Sequence, residues 1–321
     1  MTQQAFDIAD LIFGKVVLVT GKGGVGKSSV TAALGRLAAA QGRRVCLIEA
    51  DSQQSVLSGI FGTSVGYEPK QVAENLYACN VTWYEALHDW VERVVPSKRI
   101  VDMMLDNRLV RLFLDAVPGN REVVTLSKIT WLSEEFDLVI VDLPASGHAT
   151  ALMQSPQRTM RLFNVGPLFT RSQESQALLE HPATHLVLVA LPEEMVVNET
   201  VETWETLNKG VPGLSVPLVI LNRASRPTLG ADEIALLDRL SAARETETEA
   251  QGPQAELLLA GRWEARLEEA TGRAIQRIEE QIGVKLIDVP RLSQAEGSDA
   301  LVRTLASALA RTSERGLKGR S

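Results

Sequence analysis

Residues 21–29 read Gly21-Lys22-Gly23-Gly24-Val25-Gly26-Lys27-Ser28-Ser29, and the architecture of the chain follows from them. Their spacing, G-x-x-x-x-G-K-[ST], is typical of a phosphate-binding loop. Glycines allow successive backbone N–H groups to turn inward around an anion, and the positive end of a following helix points to the same place. Lys27 can then reach the β- and γ-phosphates, and the hydroxyl of Ser28 can bind Mg²⁺. The residues predict that the chain binds a nucleoside triphosphate.

The residues around this loop have the required context. The apolar run 16–19 enters it like a buried parallel strand, and a helical pattern through Val30, Leu34 and Leu37 leaves it. A chance match in a glycine-rich turn would not require strand, loop, Lys-Ser and helix in this order. The context therefore favours the phosphate-binding interpretation.

Further apolar runs alternate with helical patterns along the chain. The predicted strands are 15–20, 44–49, 137–142, 185–190, 217–222 and 285–289, with a weaker one at 76–81. Such alternation predicts an α/β fold, in which a doubly wound and mostly parallel sheet is covered by helices on both faces. We expect residues 1–321 to form a single domain.

Three regions outside the strands have their own character. Residues 82–135 are predicted to be mainly helical, with interruptions at Pro96 and at Pro118-Gly119, and the acidic, polar segment 244–253 is predicted to be a flexible exposed loop. A long helix follows that loop. One stripe along it is predicted to be buried, and it consists of Trp263, Leu267, Ala270, Ala274 and Ile278.

Composition restricts the setting in which the protein works. The formal net charge of −7 argues against a nucleic acid partner, because such proteins usually present a basic face. With only Cys46 and Cys79, a disulfide framework is not expected, and a reducing compartment fits better. We expect neither a signal peptide nor an integral membrane segment, since no apolar stretch approaches the roughly 20 residues that a spanning helix needs. These features predict a cytoplasmic protein.

Five segments together resemble the family of the arsenite-pump ATPase and the tail-anchored-protein targeting ATPase, deviant P-loop ATPases of the SIMIBI class related to MinD, ParA and the nitrogenase iron protein. The first is the loop 21–29. Segment 51–58 (DSQQSVLS) is similar to the family's first switch, D-P-A-H-[SN]-L-S-D, and segment 142–148 (DLPASGH) is similar to its second switch, D-T-A-P-T-G-H. Residues 191–194 and 222–223 together resemble its adenine-binding region, and segment 289–297 (VPRLSQAEG) is similar to V-P-x-[LV]-x-x-E-[IV]-x-G.

The resemblance implies roles for individual residues. Lys22 would reach across a dimer into the partner's site, Lys27 would bind phosphate, and Asp51 would position or activate the attacking water, although Asp51 could instead cap the next helix. Mg²⁺ would be bound by Ser28, Asp51 and Asp142, and Gln54, Gly147 and His148 would belong to the switches; His148 could equally be an ordinary loop histidine. Nucleotide contacts are implied for Gly21, Lys22, Gly23, Gly24, Val25, Gly26, Lys27, Ser28, Ser29, Asn222, Arg223, Pro290 and Leu292.

The chain also departs from that family. Two cysteines cannot form a three-thiolate arsenite site, the Cys-x-x-Cys of a zinc clamp is absent, and Ser52 and Gln54 replace the proline and histidine of the first switch. Only about three dozen residues separate His148 from His185, which leaves little room for the long helical insertion of the targeting ATPases. These departures argue against an arsenite pump.

The prediction is a Mg²⁺-dependent ATPase that acts as a nucleotide-gated dimeric switch or motor on a protein partner. The dimer could be a homodimer or a heterodimer with a related ATPase. Two alternatives stay open: a chaperone for hydrophobic membrane-protein clients, and a positioning ATPase similar to ParA and MinD. ATP and Mg²⁺ are the expected cofactors.

Overall fold

The computed structural model describes residues 6–50, 52, 54–95, 97–110, 119–211, 213–244, 253–292 and 297–318. The strands are β1 (Val16–Thr20), β2 (Val45–Ala50), β3 (Lys70–Ala73), β4 (Leu76–Val81), β5 (Leu138–Asp142), β6 (Thr184–Ala190), β7 (Ser215–Ala224) and β8 (Lys285–Pro290). The helices are α1 (Ile8–Ile12), α2 (Lys27–Ala40), α3 (Val56–Phe61), α4 (Trp83–Val94), α5 (Lys98–Asp106), α6 (Asn120–Glu135), α7 (Ser146–Leu162), α8 (Pro167–Leu179), α9 (Glu194–Gly210), α10 (Ala231–Arg244), α11 (Pro253–Gln281) and α12 (Ser298–Lys318).

The described strands form one eight-stranded sheet in the order β3-β4-β2-β5-β1-β6-β7-β8. Only the pair β3 and β4 is antiparallel. The sheet is therefore mostly parallel and flanked by helices, and the predicted α/β fold is confirmed. Because the other strands run in one direction, the carboxyl ends of β2, β5, β1, β6, β7 and β8 lie along the same edge, where ligands bind in open sheets.

Complete burial explains why the central strands read as continuous apolar runs. Every residue of β1, β2, β5 and β6 is buried, as expected for strands covered on both faces. Helices α1, α2, α3 and α12 pack together, and so do α4, α6, α7, α8 and α9. The two groups cover the two faces of the sheet.

Several boundaries differ from the sequence prediction. The edge strand β3 was not predicted, because it is only four residues long and none of them is buried. The described part of residues 82–135 contains the helices α4, α5 and α6. Pro96, Pro118 and most of the predicted flexible loop lie outside the described residues. The prediction of a buried stripe on α11 is correct for Ala274 and Ile278 but wrong for Trp263, which is 59% exposed.

Within the residues that the structure describes, none of the helices combines the length and the apolar composition that crossing a bilayer requires.

Candidate nucleotide site

The phosphate loop connects β1 to α2 at the centre of the sheet edge. Gly21, Gly24 and Gly26 have φ angles of 151°, 84° and 96°, which other residues rarely adopt. A Cβ atom on Gly21 would lie 2.2 Å from the carbonyl oxygen of Val189, and one on Gly26 would lie 2.5 Å from Nδ2 of Asn222. These two glycines are therefore required by close packing as well as by backbone conformation.

Helix α2 begins at Lys27 and directs its amino end at the loop. No side chain caps it, so its first N–H groups can bind an anion. Nζ of Lys27 donates a hydrogen bond to the carbonyl oxygen of Lys22 at 3.2 Å, which holds the ammonium group over the loop. Burial lowers the pKa of Lys27, while the charges of Asp142 and Glu199 oppose that shift.

Ser28 and Asp142 meet beneath the loop. Asp142 ends β5, next to Val19 of β1, and its Oδ2 accepts a hydrogen bond of 2.5 Å from the hydroxyl of Ser28. Burial raises the pKa of the Asp142 carboxyl to about 6, and the negative charge of Glu49 raises it as well. The hydrogen bond from Ser28 and the positive charge of Lys27 lower this pKa and so oppose the shift. Oδ1 of Asp142 is buried without a hydrogen-bond partner among the described residues.

That unpartnered oxygen fits a magnesium site. A hydroxyl and a carboxylate are both oxygen ligands of the kind Mg²⁺ prefers, and in phosphate sites Mg²⁺ takes most of its other ligands from water and from the phosphates. The described residues contain no group of three or more His, Cys, Asp and Glu side chains that could hold a metal ion by themselves. Asp51, the third predicted ligand and the predicted catalytic residue, lies outside the described residues.

Glu49 is a site residue that the sequence analysis missed. It is 2% exposed, pairs in register with Asp142, and accepts hydrogen bonds from the backbone N–H groups of Val56 at 2.7 Å and Leu57 at 3.0 Å. The hydroxyl of Ser55 also donates to it. Glu49 therefore caps α3 and attaches the segment after Asp51 to the sheet. Its signal in the sequence was a carboxylate at the end of the apolar run 45–48.

Ser52 and Gln54 of the first switch are held by hydrogen bonds to backbone carbonyl groups. The side chain of Asn80 on β4 donates to the carbonyl oxygen of Ser52 at 2.7 Å, and the hydroxyl of Ser52 donates to the carbonyl oxygen of Gln54 at 2.7 Å. The side chain of Gln54, which stands where the family has histidine, is exposed. In this conformation, the backbone carbonyl group of Gln54 contributes a hydrogen bond to the loop.

The second switch differs from the predicted loop. Gly147 and His148 lie in the first turn of α7, which begins at Ser146, and both are exposed. Ser146 is buried, and its hydroxyl donates to Glu199 of α9. The helix can begin here because Ala145 has an extended backbone and its carbonyl oxygen accepts from the N–H groups of His148 and Ala149.

Glu199 is a second residue that the sequence analysis missed. Its Oε2 lies 3.4 Å from Nζ of Lys22, while its Oε1 accepts from Ser146. One carboxylate thus joins the phosphate loop to the start of α7. Lys22, predicted to reach across a dimer, forms an ion pair within its own chain. No short sequence motif identifies Glu199, because tertiary packing of α9 brings it to the loop.

The predicted base-binding residues lie at the ends of β7 and β8. Asn222 is held by its own chain, since its Nδ2 donates to the carbonyl oxygen of Val25 at 2.8 Å and its Oδ1 accepts from the N–H of Arg223 at 2.9 Å. Arg223 is exposed and has a φ of 55°. Pro290 ends β8, and with Leu292 it lines a cavity of about 810 Å³ that begins at the phosphate loop.

The structure therefore brings most of the predicted residues to one place. Lys22, Lys27, Ser28 and Asp142 lie in contact at the phosphate loop, and Asn222 connects that loop to the cavity that Pro290 and Leu292 line. Gln54 and His148, by contrast, are exposed at the surface of the protein.

Comparison with known proteins finds similarity to ATPases. Residues 14–168 match the sequence model of a family described as anion-transporting ATPase. The chain is 28% identical over 257 residues to ATPase BagA of Mycobacterium tuberculosis, which covers 76% of this chain and 73% of that protein. It is 26% identical over 213 residues to the arsenical pump-driving ATPase of Acidiphilium multivorum, which covers 59% of this chain and 36% of that protein.

The family match ends at residue 168 and so includes both β1 with its loop and β5 with Asp142. The match to ATPase BagA is longer, at 257 residues. On these grounds, the chain is similar to the ArsA-like P-loop ATPases.

Proposed function

We propose that this ATPase hydrolyses ATP in a Mg²⁺-dependent reaction and uses the nucleotide as a switch. The observation that carries the proposal is the unpartnered Oδ1 of Asp142, buried beneath the loop beside the hydroxyl of Ser28. A buried carboxylate oxygen without a partner is costly unless a ligand satisfies it. A hydrated Mg²⁺ bound to ATP is a ligand of that kind.

Each residue then has a distinct task. Backbone N–H groups of the loop and of α2 bind phosphate oxygens, and Lys27 neutralises charge on the β- and γ-phosphates. Ser28 and Asp142 would hold Mg²⁺, directly or through water, and the metal would neutralise charge that develops on the transferred phosphoryl group. Asp51, two residues after Glu49, is proposed to position the attacking water.

Lys27→Ala and Asp142→Asn test the site. We expect Lys27→Ala to abolish tight binding of MgATP and Asp142→Asn to remove most of its Mg²⁺ dependence, measured by calorimetric titration with and without Mg²⁺. Lys209→Ala is the matched control, because that lysine is 77% exposed at the far end of α9. Intact binding by Lys27→Ala would overturn the assignment of the phosphate loop.

Asp51→Asn tests hydrolysis separately from binding. If Asp51 positions the attacking water, the variant should retain MgATP affinity while phosphate release falls by roughly two orders of magnitude or more, within the range expected for loss of a catalytic acid or base. If phosphate release is unchanged, Asp51 caps the following helix instead.

A second candidate role, delivery of hydrophobic membrane-protein clients, is favoured by α5. This helix exposes Ile100, Met103 and Met104, with Leu109 exposed just beyond it. Methionine-rich apolar surfaces adapt to varied partners, and the proposed occupant is a transmembrane helix.

Cross-linking tests this role. A photoreactive group at Ile100 should cross-link to a transmembrane peptide in an ATP-dependent way, and Met103→Glu should reduce the yield. Val165→Glu, which alters an 82% exposed residue on another surface, should not. Equal yields from both variants would contradict the role.

Arsenite transport is not proposed. The sulfur atoms of Cys46 and Cys79 lie 4.0 Å apart on neighbouring strands, and both residues are completely buried. Burial raises the pKa of the Cys46 thiol, reinforced by the hydrogen bond to Cys79, so it disfavours the thiolate that would bind a metalloid. The arsenical-pump activity in the names of some relatives is an activity of those relatives.

A further inference from the structure

Trp263 is in an unusual position for a large aromatic residue. It lies on α11 in the same row as Ala274 and Ile278, which are buried against the rest of the domain, yet it is 59% exposed. Between them, Leu267 is partly buried. The residues of this row therefore become more exposed toward the amino end of α11, and Trp263, the large side chain at that end, lines a cavity.

That cavity is continuous with the phosphate loop. Gly26 and Ser29 form one end, Pro290 and Leu292 form a wall, and Trp263 and Leu267 lie along it as well. Its volume of about 810 Å³ falls within the range of small-molecule sites. A nucleotide whose phosphates occupy the loop must place its sugar and base close to Gly26, and this cavity is the apolar space that begins there.

Hydrogen bonds fix α11 beside the end of β7. The hydroxyl of Thr271 accepts from the N–H of Ser225 at 3.1 Å, and Glu264 accepts from the Ser225 hydroxyl at 3.0 Å. One turn away, Glu268 accepts from the N–H of Thr228 at 2.7 Å. These hydrogen bonds hold the part of α11 that contains Trp263 next to the end of β7, where Asn222 lies three residues before Ser225.

Asn222 is held in place by one hydrogen bond at each end of its side chain, which leaves one Nδ2–H and one Oδ1 lone pair available to the edge of a base. The cavity is lined by apolar residues such as Leu267 and Leu292 and by the charged residues Glu193, Arg223 and Arg291. Among the described lining residues, Trp263 is the one aromatic side chain, so it offers the flat surface on which the face of a base can lie. Stacking on an aromatic side chain accepts any base, and it is stronger for the larger ring of a purine.

We propose that Trp263 stacks on the purine base of the bound nucleotide and supplies much of the affinity of this site for nucleoside over bare phosphate. This inference rests on the proposed nucleotide function. It adds a binding residue from α11, outside the segments that resemble the family's motifs. Trp263 is a ligand contact and takes no part in the phosphoryl chemistry.

Affinities for MgATP, MgCTP and inorganic tripolyphosphate test the proposal. Trp263→Ala should weaken MgATP binding by roughly 5- to 150-fold, the range measured when stacking aromatics are removed. It should leave tripolyphosphate binding unchanged and reduce the preference for ATP over CTP. Trp263→Phe should retain most of the affinity, because a ring remains. Leu257→Ala, which removes an exposed apolar residue of α11 that does not line the cavity, is the matched control.

Tryptophan fluorescence gives an independent measurement. ATP should quench the emission of the wild-type protein, and Trp263→Phe should remove the quench, whereas Trp204→Phe should keep it. Unchanged MgATP affinity in Trp263→Ala would overturn the inference while the nucleotide site stands. Failure of the wild-type protein to bind either MgATP or tripolyphosphate would overturn the proposed function itself, and with it the role of Trp263.

Discussion

Glu199 places a negative charge where the proposed ligand is also negative. Its carboxylate pairs with Lys22 and lies near enough to Lys27 to affect that lysine's pKa. Without nucleotide, it balances the lysines of the loop. When phosphates arrive they compete for the same two cations, so Glu199 opposes binding until its contacts with Lys22 and Ser146 rearrange.

Glu199→Gln should therefore tighten MgATP binding, by about two- to tenfold for a partly exposed charge at this distance. The amide is isosteric and still accepts the hydrogen bond from Ser146, so only the charge changes. Titrations at low and high salt measure the effect, which should shrink as salt screens it. Glu202→Gln, on an exposed position of the same helix, is the control. Weaker or unchanged binding in Glu199→Gln would contradict this account.

His185 makes the stability of the protein depend on pH. It is 8% exposed, packs edge-on against Phe6 at 4.7 Å, and its Nδ1 has no hydrogen-bond partner among the described residues. Burial lowers the pKa of His185, although the charge of Asp10 acts in the opposite direction. Since the unfolded chain then binds a proton more readily than the folded one, the free energy of unfolding should fall as pH drops below about 6.5.

Chemical denaturation between about pH 5 and pH 7.5 measures this dependence. The slope should flatten in His185→Gln, whereas His148→Gln, which changes an exposed histidine, should retain it. An identical slope in the wild-type protein and His185→Gln would assign the dependence to other groups.

The residues of the site were predictable to different degrees. Lys27, Ser28 and Asp142 were predictable because a loop motif and a strand end determine their positions locally. Glu199 was not, since it reaches Lys22 from a helix that begins more than 170 residues later. Trp263 was noticed only as part of a helical stripe, because periodicity identifies a face of a helix and not what that face contacts.

At the scale of elements, α4 and α6 are joined by a buried ion pair. Nζ of Lys128 on α6 lies 3.0 Å from Oδ2 of Asp89 on α4, and it also lies 4.2 Å from the ring centre of Tyr67. The Lys128 side chain is only 7% exposed. Its charge is therefore shielded from water and is compensated mainly by Asp89, with the exposed carboxylate of Glu68 at 3.7 Å as a second partner.

Asp89→Asn should lower the free energy of unfolding by about 2–4 kcal/mol, because it removes the nearer and less exposed of the two carboxylates that pair with the buried Lys128 ammonium. Urea denaturation measures the change. Asp102→Asn, whose carboxylate is 51% exposed, should cost less than about 1 kcal/mol. Adding Lys128→Met to Asp89→Asn should recover part of the loss. Equal losses of unfolding free energy in Asp89→Asn and Asp102→Asn would show that the ion pair between Asp89 and Lys128 stabilises the fold no more than an exposed ion pair does.

Elements were predicted well where burial dominates their sequence. The fully buried strands β1, β2, β5 and β6 gave unambiguous apolar runs, and their boundaries differ from the prediction by a single residue. The exposed strand β3 exists because it pairs with β4 across Asn75, which has a φ of 55°. Nothing in its own side chains distinguishes it from a loop, so pairing alone produces it.

At the scale of the whole molecule, the proposed switch requires two chains. In this conformation Glu199 retains Lys22 in its own chain. Release of Lys22 from Glu199 would free it to contact phosphates bound by a partner. We propose that the two states of that switch are a monomer with Lys22 paired and an ATP-bound dimer with Lys22 exchanged.

Light scattering coupled to size exclusion tests this prediction. Asp51→Asn protein, which should hold ATP without hydrolysing it, is expected to be dimeric with MgATP and monomeric with ADP or without nucleotide. Lys22→Ala should lower turnover in a way that depends on protein concentration. A monomer in every state, with turnover per chain independent of concentration, would contradict a homodimer and direct the search to a related ATPase as the partner.

The position of β1 in the sheet has a consequence for synthesis of the chain. Its two neighbours are β5 and β6, so the strand that carries the phosphate loop lacks both of them until residues 138–142 and 184–190 have left the ribosome. At translation rates of about 5–20 residues per second, this delay lasts on the order of ten seconds or more. During that time, the nascent chain carries an intact loop motif but no site, because Asp142 has not reached Ser28. A chain that terminates before β6 should gain no protection from ATP, whereas the full-length chain acquires its fold and its ligand together.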